Sequence, residues 1–155
     1  MDLSRFPRAS LTQLPTPIEP LPRLSAHLGG PRLYVKRDDL TGLGLGGNKL
    51  RKLEFLLGEA RAQGADTVLT VGAMQSNHAR QTAAACARLG FDCELILRRG
   101  SHATDAYLNG GNVLLDRLFG AQLHVLEAHE SREARMAARA ESLRGEGRRP
   151  YCIPV

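Results

Sequence analysis

Tryptophan is absent, and only three cysteines and three lysines occur in 155 residues. No long apolar run occurs either; a membrane span needs roughly 18 apolar residues. No membrane partner is therefore expected. Met1-Asp2-Leu3-Ser4-Arg5-Phe6-Pro7 contains no apolar stretch of the kind an export signal needs. Cys86, Cys93 and Cys152 cannot all pair within one chain, and their spacing matches no zinc ligand set, so no metal is expected. These absences together point to the reducing cytoplasm. What is present is ordinary globular material, 43% hydrophobic and 24% charged, which excludes a disordered tail or a collagen-like chain.

The formal charge is +5, from 21 basic and 16 acidic residues. With three lysines among the 21, the other 18 are arginines, spread along the chain. Only Arg98-Arg99 and Arg148-Arg149 are adjacent, and no aromatic lies beside Arg98 and Arg99. A nucleic-acid footprint needs clustering on a face, so no nucleic-acid partner is expected. The lysines do cluster: Lys36, Lys49 and Lys52 fall in one short stretch. Arginine stays protonated and cannot form an imine with an aldehyde at neutral pH, so covalent amine chemistry must come from there.

Residues 1–32 read as an extended lead-in, broken by Pro7, Pro15, Pro17, Pro20, Pro22 and Pro31, with room for one helical turn from Arg23 to Leu28. Leu33–Lys36 suits a short strand, and Arg37–Gly47 a loop. From Asn48 the spacing of Leu50, Leu53, Leu56, Leu57 and Ala60 predicts a helix ended by Gly64. Thr67–Val71 predicts a buried parallel strand. A helix follows from about Ser76 to Leu89, stopped by Gly90, then a strand over Cys93–Leu97. Residues 101–111 look irregular. A helix over Val113–Phe119, a strand over Gln122–Leu126, a helix over Glu130–Arg144 and a strand opening at Pro150 complete the pattern. Alternation at this spacing implies an α/β fold, a parallel sheet with helices on both faces. The sequence stops at Val155, directly after a strand, where a ligand-binding loop would be expected to begin.

Gly42-Leu43-Gly44-Leu45-Gly46-Gly47 satisfies G-x-G-x-x-G, yet no acid follows the strand Thr67–Val71 to hold a ribose, so a dinucleotide site is disfavoured. A flexible loop is the plainer reading. Lys49 stands where that loop enters a helix. The helix dipole and the cations Arg51 and Lys52 would press its amine towards neutrality, as attack on an aldehyde requires. The glycines would let backbone approach a flat ligand closely. A solvated surface lysine is the alternative. Gln75-Ser76-Asn77-His78 lies past a buried strand at a helix N-terminus, where free N–H groups bind carboxylates or phosphates. Ser76 as a simple helix cap is the alternative. Asp38 and Asp39 are expected in ion pairs with Arg37 or Arg51. His27, His102, His124 and His129, lacking a carboxylate-partner motif, read as surface or structural residues. Cys86 reads as a small core residue.

Three stretches resemble a known family: Lys36-Arg37-Asp38-Asp39-Leu40-Thr41; Gly46-Gly47-Asn48-Lys49-Leu50-Arg51-Lys52-Leu53-Glu54-Phe55; and Gln75-Ser76-Asn77-His78-Ala79-Arg80-Gln81-Thr82-Ala83. They are similar to D-cysteine desulfhydrases and 1-aminocyclopropane-1-carboxylate (ACC) deaminases, which use pyridoxal 5'-phosphate on a tryptophan synthase beta-like fold. Arg5-Phe6-Pro7 and Pro15-Thr16-Pro17 also fit. The resemblance implies that Lys49 carries the cofactor covalently and that Asn77 contacts its ring hydroxyl. It implies that Lys52 approaches the phosphate, and that Ser76, Asn77 and the His78 backbone hold the carboxylate of a small amino-acid substrate. Lys49 and Ser76 are the implied proton carriers. The implied reaction is β-elimination from a small sulfur amino acid such as D-cysteine or cysteate, giving a keto acid and ammonia. The alternatives are ACC deamination and a catalytically inactive α/β fragment.

Asp38 and His78 resemble the desulfhydrase and sulfo-lyase members; the deaminases are expected to have Glu and Gln there. Family members are roughly twice this length and are expected to be homodimers. Residues 1–50 would then be the N-terminal part of the large domain, lysine loop included, and 51–155 a small α/β domain. The C-terminal half of the large domain would be missing. Residues 1–48 would lack a packing partner and be mobile, and the chain alone would bind the cofactor weakly with little turnover.

Overall fold

A computed structural model describes residues 2–101 and 103–153. Two short strands, β1 (Ile18–Pro20) and β2 (Tyr34–Lys36), pair antiparallel around α1 (Pro22–Leu28). Two 3-10 turns, Asp38–Thr41 and Leu43–Leu45, lead into α2 (Lys49–Ala62). Then follow β3 (Thr67–Ala73), α3 (Asn77–Leu89), β4 (Asp92–Arg98), α4 (Asp105–Asn109) and α5 (Gly111–Leu118). The chain continues through β5 (Gln122–Leu126), α6 (Arg132–Gly145) and β6 (Pro150–Cys152).

Strands β3 to β6 form one parallel sheet in the order β5-β4-β3-β6. Alternate strand residues face opposite ways, so the run Val68-Leu69 serves two cores. Val68, Cys93, Leu95 and Leu97 pack with Leu50, Leu53 and Leu57 of α2, Ala79, Ala83 and Cys86 of α3, and Val113 of α5. Leu69, Val71, Ile96 and Leu126 pack with Ala140 and Leu143 of α6. The expected α/β fold with both sheet faces covered is what forms. Right-handed crossovers explain the division of labour. The path β3 to β4 to β5 moves one way across the sheet; α6 then returns over the other face to place β6 on the far side of β3. The strand order therefore reverses beside β3, and ligands of open α/β sheets bind outside the strand carboxyl ends at such a point.

The helix and strand expectations hold to within a few residues, with three corrections. β1 lies inside the stretch read as lead-in; its Pro20 hid it, although proline is tolerated on an edge strand. Part of the irregular stretch is α4, whose first turn is capped by Thr104 accepting from the Tyr107 amide at 3.2 Å. The lead-in also has a packing partner. Glu54 of α2, buried in the core, accepts from the backbone amides of Leu11 and Thr12 at 2.8 Å each, from the Thr12 hydroxyl and from Arg8. Ala9 and Leu11 are buried against the same helix, which contains Gly58 because any Cβ there would meet the Pro7 carbonyl at 2.6 Å. His102, Pro154 and Val155 lie outside the described residues.

Candidate active site

β3 ends at the reversal point and turns sharply into α3. Gly72 permits the turn, since a Cβ there would lie 2.9 Å from the Ser76 Cβ. Ser76 is the N-cap: extended at φ −68°, ψ 121°, its Oγ accepts from the Ala79 amide at 3.2 Å. The cap reading is therefore correct, but it does not exhaust the hydroxyl, whose O–H remains free to donate. The amides of Asn77 and His78 have no protein acceptor among the described residues, as expected in the first turn of a helix. Asn77 is exposed, and its carboxamide makes no hydrogen bond among the described residues. Gln75 is a clamp. Its Nε2 donates to the carbonyls of Tyr107 (2.6 Å) and Gly110 (3.0 Å), its Oε1 accepts from the Asn112 amide, and the turn is thereby tied to α4 and α5.

The lysine loop lies against the same helix. Asn48 precedes α2 without a side-chain cap, and the end is capped from outside instead. Gln81 Oε1 accepts from the Leu50 amide at 3.2 Å while its Nε2 donates to the Asn77 carbonyl at 2.8 Å. One carboxamide thus joins the residue after Lys49 to the first residue of α3. The glycines serve this docking. A Cβ at Gly46 would lie 1.9 Å from the Asp39 carbonyl oxygen, one at Gly47 2.6 Å from Gln81 Nε2, and one at Gly44 2.5 Å from the Ala84 Cβ. On their side-chain faces, at least, protein fills the space a Cβ would take.

Lys49 is half-buried and Lys52, one turn on, is exposed. Neither ammonium has an ion-pair partner among the described residues. Arg51 differs: it grips Asp38 at 2.7 and 2.8 Å and donates to the Thr16 hydroxyl, while Arg37 pairs with Asp39. The aspartate ion pairs are as expected. Arg51, expected as a free cation beside Lys49, is paired with Asp38 instead. Lys52 is the cation that remains. Burial and then the Lys49 charge hold its ammonium below the usual lysine range. The His78 ring sits 3.0 Å from the buried Thr70 hydroxyl, with Nδ1 unpartnered. Burial first, then Lys52 and Lys49, push the imidazole down to about 4. Lys49, Lys52 and His78 therefore lie within electrostatic reach of one another, near the free amides of α3.

Several structurally important residues escaped sequence reasoning. Arg80 and Gln81 hold the lysine loop, Glu54 holds the lead-in, and Asp116 is a carboxyl buried under α3. Glu54, Arg80 and Gln81 fall inside the family-resembling stretches, but nothing in their spacing announced these contacts; Asp116 lies outside those stretches. His124 does have a carboxylate partner: its Nε2 lies 2.7 Å from Glu94, which Arg139 also grips. It is structural, as expected, but the pairing joins neighbouring strands, so no local motif could announce it. Cys86 is a core residue, and Cys93 together with burial raises its thiol well above the usual range. Among the described residues no His, Cys, Asp and Glu cluster could hold a metal, and no helix is long and apolar enough to cross a membrane.

The comparisons with known proteins agree with one another. The family model "Pyridoxal-phosphate dependent enzyme" matches residues 9–155. A Pyrococcus abyssi protein, provisionally named a 1-aminocyclopropane-1-carboxylate deaminase, is 54% identical over 154 residues, covering 98% of this chain and 44% of its own length. A D-cysteine desulfhydrase of Salmonella newport is 49% identical over 154 residues, covering 99% of this chain and 47% of its own. The chain thus spans under half the length of these curated relatives. The crystal structure of an ACC deaminase homologue superposes with a TM-score of 0.88 at 49% identity, over 98% of this chain and 45% of that one. A hydrogen sulfide-producing enzyme from Fusobacterium nucleatum, 14% identical with a TM-score of 0.61, shares the fold. With a family model matched along nearly its whole length, the chain belongs to the pyridoxal-phosphate dependent enzymes.

Proposed function

We propose that this chain carries the lysine half of an active site that removes a β-substituent from a small sulfur amino acid, as a D-cysteine desulfhydrase does. The observation that carries the reading is the Gln81 bridge, which fixes Lys49 beside the amide-bearing start of α3 at the sheet's reversal point. The donor set suits pyridoxal phosphate. An amine without a counter-ion is available for the aldehyde, and a second for the phosphate. Burial first, and the neighbouring lysine charge second, hold Lys52 and His78 below their usual ranges; an arriving anion would relieve the second of these. When bound, the cofactor supplies an electron sink for negative charge at the substrate Cα.

In this reading Lys49 would hold the cofactor, and its Nζ would take the substrate Cα proton. Lys52 and Asn77 steady the cofactor. The substrate carboxylate lies at the N-terminus of α3, accepting from the free amides of Asn77 and His78 and from the Ser76 hydroxyl. Ser76 is the second proton carrier. For D-cysteine the overall balance is one water consumed, with pyruvate, hydrogen sulfide and ammonia released. Asp38 and His78 favour this reading over ACC deamination, the second candidate, which would give 2-oxobutanoate and ammonia. Residues 1–50 form part of a larger domain and 51–155 a smaller one. In support, α1 buries none of its residues, and Ile18, Leu28 and Tyr34 stay exposed around it.

Borohydride reduction in the presence of pyridoxal phosphate, followed by peptide mapping, tests the site. Label on Lys49 that disappears in Lys49→Ala supports it; equal label on Lys36, Lys49 and Lys52 refutes it. Offering D-cysteine, cysteate and ACC to the protein paired with the remainder of the enzyme, and reading sulfide, sulfite and 2-oxobutanoate, separates the substrates. No turnover by that complete assembly favours the inactive-fragment alternative.

A further inference from the structure

The loop that delivers Lys49 is glycine-rich and therefore entropically soft. Besides the Asp38 carbonyl, which accepts from the Gly47 amide at 2.9 Å, three side chains tie it down. Thr41 Oγ1 accepts from the Gly47 amide at 2.8 Å, and Gln81 caps Leu50. Arg80 Nη2 donates to the Gly46 carbonyl at 3.1 Å, and it alone of the three carries a charge. Arg80 is almost fully buried, at 8% exposure, and its Nε and Nη1 have no partner. Asp116, on α5 packed against α3, is fully buried with both carboxyl oxygens unpartnered. A buried guanidinium and a buried carboxyl, each short of hydrogen bonds, are expensive to fold, and a neutral pair of similar size would be cheaper. Yet the two groups do not touch; they act on each other only through their charges.

We propose that Arg80 is the positioning residue of the lysine loop and that Asp116, on the helix packed against α3, is its buried electrostatic partner. The guanidinium makes a charge-assisted bond to the Gly46 carbonyl, stronger than a neutral donor would give. Asp116, when ionised, offsets that charge between α3 and α5. The placement fixes Gly46, three residues before Lys49, and so fixes where the amine enters the site. This deepens the active-site reading above and rests on it only for its purpose; the anchoring itself is independent of any cofactor.

The test compares Arg80→Met, Arg80→Lys and Asp116→Asn with Leu143→Ala, which removes core packing on the opposite face of the sheet. Amide hydrogen exchange is read at Gly47 and Leu50, and borohydride trapping of pyridoxal phosphate at Lys49. Arg80→Met is expected to speed exchange at both amides by about tenfold or more, the factor that losing one hydrogen bond to a charged group implies. Arg80→Lys should restore part of it, and Asp116→Asn should move exchange the same way. Exchange in Asp116→Asn and Arg80→Lys within about twofold of Leu143→Ala would overturn the proposal, even should Arg80→Met fail to fold. Trapping discriminates further. Parent protein unlabelled at Lys49 sinks the cofactor reading and leaves the anchor to be judged by exchange. Loosened exchange with an unchanged trapping rate sinks the positioning role.

Discussion

His78 Nε2 lies 3.0 Å from the Thr70 hydroxyl, which joins the first turn of α3 to the strand beneath it. The ring is neutral at physiological pH, because burial and two lysines hold it near 4. Below the ordinary histidine value of 6.5 the unfolded chain takes up a proton that the folded ring refuses. This contribution to stability is therefore whole above that value and falls away as pH drops towards 4. The His78 ring protons, followed by NMR, should titrate near 4, and phosphate binding should raise the midpoint. Titration in the ordinary histidine range would show that neither burial nor the lysines act on the ring as described.

Asp116 slopes the other way. Burial lifts its carboxyl to about 7, against the opposing pull of Arg80. The folded chain keeps a proton that the unfolded chain has already released, so stability declines as pH rises from 3.8 through 7. Asp116→Asn should flatten this limb of the stability–pH curve, as measured by urea unfolding across that range. Arg80→Met should push the carboxyl higher still. An unchanged slope in Asp116→Asn would mean that the carboxyl ionises normally.

Glu54 is the reverse case for a carboxylate. Its hydrogen bonds from Thr12, Leu11 and Arg8 outweigh burial and hold it below the usual glutamate range, so its contribution persists above that range and is lost in acid. Glu54→Ala orphans two backbone amides. It should lower stability by about 2–3 kcal/mol, with the half-exposed Arg8 arm discounted for solvent screening. Proteolysis should then cut first within residues 8–12. Resistance there would show that the lead-in is held by something else.

Gly46 and Gly120 provide a paired test of the loop, since both sit at positive φ, 70° and 80°. Alanine at Gly120 meets nothing within 4 Å and should cost only the left-handed penalty, about 1 kcal/mol. Alanine at Gly46 collides with the Asp39 carbonyl, so it should destabilise by more and also reduce cofactor trapping on Lys49. Equal losses in stability and unchanged trapping would show that the loop yields without moving the lysine.

The elements that were legible beforehand share one property: their signal is local. Apolar residues at helical spacing in 50–60, the β-branched run from Thr67, and Ser76 and Gly90 bracketing α3 are dictated by backbone geometry and need no distant partner. Lys49 and Ser76–His78 were legible for a related reason, since a loop or strand entering a helix exposes charge and amides whatever surrounds it. β1 was not legible, because its three residues form a strand only against β2. Nor was the role of the glycines, whose neighbours Gln81 and Asp39 come from other parts of the chain.

The sequence by itself determined the alternation of helix and strand, the lysine at a helix start, and the family to which the motifs point. Short-range sterics and hydrophobic period set these. Only the tertiary structure decided that α6 crosses back to reverse the strand order, that Gln81 and Arg80 grip the loop on either side of Lys49, and that Asp116 is buried beneath them. Those contacts join residues about 30 or more positions apart, and they arise when helices and loop are pressed onto one sheet face, where packing rather than local preference selects the partner.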